Sequence, residues 1–164
     1  MFKFKLLSPE AIPAALARIE RYRLLNEPKC AESICRDILA IDPGNKQAAI
    51  DLVLSLTDQL PVSMDFREAQ DTAAGFEDKY DQAYYSGIVR ERRAHATLGR
   101  GNPGSGTIAW HLLREAMKFY EAAEKLRPPG NDDAIIRWNT CARVILQHDS
   151  VKPDDHVATP IELE

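Results

Sequence analysis

Apolar side chains return every three or four residues in seven separate stretches of this chain, and each stretch is bounded by proline, glycine or a polar turn. That spacing matches the 3.6-residue turn of an α-helix, so it predicts an all-α fold. Only Phe2 to Leu6 alternates with the period of two that a half-buried strand needs. The first stretch carries Ile12, Ala15, Ile19, Tyr22 and Leu25, with Ser8 placed to cap it and Pro9 tolerated in its first turn. After Asn26-Glu27-Pro28 the second carries Ala31, Ile34, Cys35, Ile38 and Ile41 and ends at Asp42-Pro43-Gly44-Asn45, which predicts a tight helical hairpin. The third has Ala49, Leu52, Val53, Leu56 and Leu60 and stops before Pro61; the fourth has Phe66, Ala69, Ala73 and Phe76. Both read as amphipathic. The fifth begins near Tyr80 and presents Tyr84, Gly87, Ile88, Ala94 and Leu98. The sixth presents Ala109, Leu112, Leu113, Ala116, Tyr120, Ala123 and Leu126. Gly99 to Thr107 reads as a glycine-rich turn joining these two into the longest hairpin. Beyond Pro128-Pro129-Gly130-Asn131 the seventh stretch shows Ala134, Trp138, Cys141, Ala142 and Ile145.

A chain of 164 residues can bury one sizeable core without disulfides or structural metal. The net charge of −4 belongs entirely to the tail, where Asp149 to Glu164 holds five acidic residues and one lysine. Met1 to His148 holds 20 basic and 20 acidic side chains, so it offers no long-range field for a polyanion, and nucleic acid is not an expected partner. Three cysteines, Cys30, Cys35 and Cys141, form no CxxC pair and read as reduced, buried packing thiols. The Met-Phe-Lys-Phe-Lys-Leu-Leu-Ser start has no apolar run long enough for a signal peptide, and no stretch of 18 apolar residues occurs. The expectation is a cytoplasmic protein with no membrane partner, organised as an extension at 1–8, a helical domain at 9–148 and an acidic, disordered tail at 149–164. The tail should not continue the domain; it is either mobile or lies across a neighbouring surface through Val157 and Ile161.

Two stretches repeat one another. Ala31, Cys35, Ile38 and Pro43 are spaced by four, three and five, and Ala116, Tyr120, Ala123 and Pro128 repeat those spacings. Ala69, Ala73 and Phe76 stand as a middle copy, without a terminal proline. The pattern resembles the second helix of the tetratricopeptide-repeat family, and Gly87 and Trp138-x2-Cys141-Ala142 resemble parts of its first helix. The resemblance runs over roughly Ile12 to His148, with four residues more than the family period before Ala69 and 13 more after it. It implies a right-handed α-solenoid of about three antiparallel helix pairs plus a closing helix. It also implies a groove, lined mainly by first helices, that holds a protein or peptide.

Candidate chemistry is sparse. The Gly99 to Thr107 run lacks the Gly-Lys-Ser/Thr ending of a phosphate loop and follows no strand. His111 and Glu115 stand four apart on one helical face with His95 on the preceding helix, which supplies too few convergent ligands for zinc. Arg90, Arg92, Arg93 and Arg100 with His95 form one basic cluster pointing in several directions, so a salt-bridged face is favoured over an anionic-peptide site. Leu16 and Glu20 stand where the family would place carboxylate-clamping groups, and they do not support such a clamp; Asn139 and Arg143 remain able to meet a polar ligand. Tyr85, Trp110 and Phe119 fall off the apolar stripes, and packing under the extended turn is favoured over partner contact.

Glu91 lies near the middle of the fifth stripe, so burial should require a partner, with Arg137 the first choice and His95 and Arg143 next. The resulting reading is an interaction module or assembly adaptor, monomeric or weakly self-associating, without enzymatic activity or cofactor. Expected partner contacts are Glu20, Tyr85, Arg90, Arg93, Trp110, Asn139 and Arg143. Ala31, Pro43, Gly87, Glu91, Ala116, Tyr120, Ala123, Pro128, Arg137 and Trp138 are expected to be structural. The alternatives are a small helical enzyme or metal site using His95, His111, Glu115 and Glu91, and a subunit of a larger complex docking through exposed aromatics.

Overall fold

The computed structural model describes residues 2–63 and 65–154. Every regular element among them is helical: a 3-10 turn at Pro9–Ala11, then α1 (Ile12–Leu24), α2 (Pro28–Ile41), α3 (Lys46–Asp58), the single turn α4 (Leu60–Ser63), α5 (Arg67–Ala74), α6 (Lys79–Arg100), α7 (Ser105–Leu126) and α8 (Asp133–Gln147). Local chemistry starts several of them. The Asn45 side chain accepts from the Ala48 N–H at 2.9 Å to cap α3, and Asp78 does the same for Asp81 at 3.0 Å in α6. The Ser8 hydroxyl makes no such bond. Its carbonyl instead accepts from Ala11 and closes the 3-10 turn, so α1 begins only at Ile12. Pro28 opens α2, where a missing N–H costs nothing.

Successive helices run antiparallel, because side chains from the start of one meet the end of the next. Glu32 meets Gln59, Phe66 meets Arg93, and Glu121 meets Trp138. Helix α3 contacts α1, α2, α5 and α6. The expected one-sided stripe is therefore too narrow, and Ala48, Ile50, Leu52, Val53, Ser55 and Thr57 are all buried. The core falls into an N-terminal cluster around Ile19, Cys35 and Ile38, a C-terminal cluster around Leu113, Tyr120 and Cys141, and a small bridging cluster that includes Val53 and Val89.

The repeated positions are equivalent in burial. Ala31, Cys35 and Ile38 in α2 and Ala116, Tyr120 and Ala123 in α7 are fully buried, as are Ala69 and Ala73 in α5. Pro43 and Pro128 stand exposed just past the ends of α2 and α7. Phe76 lies beyond α5, which ends at Ala74, and its ring packs edge-on against Tyr85 with centroids 5.7 Å apart. The Tyr120 ring lies directly on Gly87, where a Cβ would come within 2.5 Å of it.

The glycine-rich turn is shorter than expected. Gly99 belongs to α6 and Gly106 and Thr107 to α7, leaving only residues 101–104 as the link, with Gly101 and Gly104 in the left-handed region. Gly106 is retained in a helix at a propensity cost of about 1 kcal/mol because the backbone of Ser150 crosses it, with the Ser150 carbonyl oxygen 2.0 Å from any Cβ placed there. The adjoining Val151 is buried in the C-terminal core cluster. Val157 and Ile161 lie outside the described residues.

Candidate functional site

Two charged hubs sit on α3 and α6. The first is Asp58, at the end of α3. The guanidinium of Arg23 in α1 donates to its Oδ2 at 2.8 Å, and that of Arg92 in α6 donates to its Oδ1 at 2.6 Å. Arg92 also donates to Thr57 Oγ1 at 2.7 Å and the Leu54 carbonyl at 3.0 Å. Burial opposes the Arg92 charge more than Asp58 supports it, so its pKa lies below the ordinary arginine value. One carboxylate thus ties three helices together.

The second hub is Glu91, whose side chain is 3% exposed. Tyr120 donates to its Oε2 at 2.5 Å, while Arg137 Nη1 and His95 Nε2 lie 3.3 Å and 3.9 Å from Oε1. Burial alone would raise the Glu91 pKa. The contacts from His95 and Tyr120 and the charge of Arg137 outweigh it and hold the carboxyl below the usual range. Arg137 is correspondingly raised, since Glu91 and Tyr84 offset its burial. The anticipated Arg137 contact is thus joined by Tyr120, a residue that sequence reasoning treated only as packing.

Three shallow depressions connect along these helices. One of about 360 Å³ lies between Glu20, Arg23 and Asp58. Asp58 also borders the next, of about 430 Å³, with Arg92, His95 and Arg100. His95 and Gly99 border the third, of about 720 Å³, which reaches His148 and Ser150. The depressions form a trough lined by α1, α3, α6, the 101–104 link, the start of α7 and the end of α8, carrying both signs of charge.

Not all of the expected partner contacts face it. Glu20 does, whereas Leu16 packs into the N-terminal core cluster. Arg90 approaches Glu115 at 3.4 Å and lies 4.7 Å over the Phe119 ring, and Arg93 lies 3.7 Å over the Phe66 ring, so both arginines are engaged against α5 and α7. Tyr85, Trp110 and Phe119 are half-buried: Tyr85 meets Phe76 and Tyr84, and Trp110 packs on the C-terminal cluster. On α8, Asn139 is half-buried and Arg143 is exposed. Trp138 donates to Glu121 at 3.0 Å. Of the four residues of the enzyme alternative, His95 and Glu91 adjoin, but Glu115 faces Arg90 and His111 rests edge-on against Trp110. Among the described residues no group of three or more His, Cys, Asp or Glu side chains is placed to hold a metal ion, and no helix is long and apolar enough to cross a membrane.

Cys30 is exposed, contrary to expectation, because it occupies the first turn of α2, outside the stripe of Ala31 and Cys35. Cys35 and Cys141 are buried, and burial pushes each thiol up to about 12, with Asp51 and Glu91 respectively adding to it. Neither is a nucleophile at neutral pH. Sequence reasoning missed the Arg23–Asp58–Arg92 chain; its only trace was opposite charge on α1, α3 and α6. Comparison with protein-family models, with curated proteins and with solved structures gave no match.

Proposed function

We propose that this chain is a tetratricopeptide-like interaction module that holds an extended segment of a cytoplasmic partner protein in the trough across α1, α3, α6 and α8. The observation carrying this reading is the trough itself, in which Arg23 and Arg92 are held in place by Asp58 and His95 lies beside Glu91. Preorganised side chains lose little freedom on binding, which favours recognition over passive exposure. The equivalent burial of Ala31, Ala69 and Ala116, and the contacts of α3 with both α1 and α6, support a right-handed solenoid of three helix pairs closed by α8. Our reading assigns the chain no chemical step.

Site-specific photo-cross-linking in cells tests it. A photoreactive residue at Glu20, His95 or Arg100 should capture one and the same protein, whereas Ala40, Lys118 and Glu124 on other surfaces should capture none of it. Equal capture from both sets, or none from the trough, would overturn the proposal.

A further inference from the structure

The basic residues of α6 separate into two groups once the helix is packed. Arg90 and Arg93 lie over the Phe119 and Phe66 rings, on α7 and beside α5. Arg92, His95 and Arg100 instead line the middle depression of the trough with Ala96 and Gly99, on the one helical face that such spacing defines. Asp58 is the one acid among the residues lining this depression, and its two oxygens are already taken by Arg23 and Arg92. Arg92 still has donors to offer. Its bonds to Leu54, Thr57 and Asp58 all leave from Nη1, so among the described residues its Nε and Nη2 N–H groups are unspent, although its side chain is only 22% exposed. Arg100 is exposed and has no ion-pair partner among the described residues. The depression therefore sets two guanidinium groups against one carboxylate that Arg23 also shares.

On the reading that the trough holds an extended partner segment, we propose that this segment is acidic, with two side-chain carboxylates about four residues apart that meet Arg92 and Arg100. Charge selects the sign. An anion gains the unspent donors of Arg92 and the unpaired charge of Arg100, whereas a cation must compete with two arginines for Asp58. A second carboxylate also offsets the burial of Arg92, which Asp58 does only in part. Geometry sets the spacing. Arg92 and Arg100 are two turns apart along α6, about 12 Å at the helical rise, and an extended chain covers that distance in about four residues. An even separation also returns both acidic side chains to the same side of the segment. The acids belong at this part of the trough and not at its α1 end, where Glu20 lines the adjoining depression. A nucleic acid strand fits less well, because its phosphates would run on past Asp58 and Glu20 while Arg90 and Arg93 are engaged elsewhere.

Selection of random segments of about twelve residues, displayed on phage through their carboxyl ends, against the full chain at low salt tests this without any free carboxyl terminus. The selected segments should carry Asp or Glu at two positions about four apart. In fluorescence anisotropy with one such segment, Arg100→Gln should weaken binding about fivefold to tenfold, as should glutamine in place of the acid it meets, and the two changes together should cost little more than either. Raising sodium chloride from about 50 to about 500 mM should weaken binding as well, because exposed charges are screened. Lys118→Gln, at an exposed cation on α7 that lines none of the three depressions, should leave the affinity unchanged. Gly99→Trp should abolish binding of any trough ligand, since Gly99 lines the depression and has open space where a side chain would start. Selected segments that lack acids and are still displaced by Gly99→Trp would overturn the acidic partner and leave the trough standing. Segments indifferent to Gly99→Trp, or no enrichment at all, would overturn both. Tighter binding of an oligothymidylate than of any selected segment would overturn the proposal in favour of nucleic acid.

Discussion

Glu91 shows how one side chain can be costly and necessary together. Its carboxylate leaves water almost completely, and Tyr120, Arg137 and His95 replace the lost solvation. Glu91→Ala should destabilise the fold by about 2 to 3 kcal/mol, because the buried Tyr120 hydroxyl loses its acceptor and Arg137 its counter-charge. Arg137→Ala should cost less, about 1 to 2 kcal/mol, since its side chain is one-third exposed and Glu91 keeps Tyr120. Chemical denaturation of both singles and the double mutant should reveal clear non-additivity. The pH dependence follows from the same contacts. The folded-state pKa of Glu91 is below its unfolded value near 4.5, so its stabilisation is complete above about 4.5 and is lost as pH falls through the lower folded value. Glu68, lowered by its bond to Arg36, acts in the same direction. Glu91→Gln should flatten the acid limb of a stability–pH curve, whereas an unchanged limb would show that Glu91 does not carry it.

At the scale of elements, two glycines act through what presses on them rather than through backbone freedom. Gly87 of α6 receives the Tyr120 ring, and Gly106 of α7 receives the Ser150 carbonyl. Gly87→Ala should cost about 1 to 3 kcal/mol by forcing the ring aside, and should also weaken the Tyr120–Glu91 bond. Its effect should therefore shrink in a Glu91→Gln background, which a thermal-melt cycle would measure. Gly106→Ala acts on a different partner. Backbone cannot rotate away as a ring can, so residues 149–151 should undock from α7, with faster hydrogen exchange there and little change in α6. Shortening the link tests the same boundary: trimming within 101–104 should be tolerated, because those residues are exposed, but a deletion that reaches Ser105 enters α7.

Over the whole molecule, two large core clusters are joined by the small bridging cluster and by Arg92, which reaches from α6 to the end of α3. Weakening this joint should therefore decouple the halves. Arg92→Ala should remove about 2 to 3 kcal/mol, leaving the Leu54 carbonyl and Thr57 short of a donor. Hydrogen exchange should then rise in α1 to α3 before α7 and α8. A uniform rise across the chain would instead show a single cooperative unit.

The helical class, the hairpin breaks and the buried repeat positions were legible because period and turn chemistry are local properties: Ala31, Cys35 and Ile38 declare one face whatever they pack against. Glu91 was legible for the same reason, as a charge inside an apolar stripe. What local pattern cannot encode is which helix lies across which. The burial of α3 arises from neighbours that include α1, α2, α5 and α6, so Ser55 and Thr57 look like surface residues in sequence and are not. Arg90 and Arg93 resemble free cations until Phe119 and Phe66 arrive beneath them from α7 and α5. Gly106 resembles a flexible turn until Ser150 crosses it. The Asp58 hub joins side chains 34 and 35 residues away on either side, a separation over which spacing carries no signal. Sequence set the periods of the helices, because each turn is closed by its own backbone; tertiary structure alone decided the trough, because its walls belong to helices that meet only after the chain has folded.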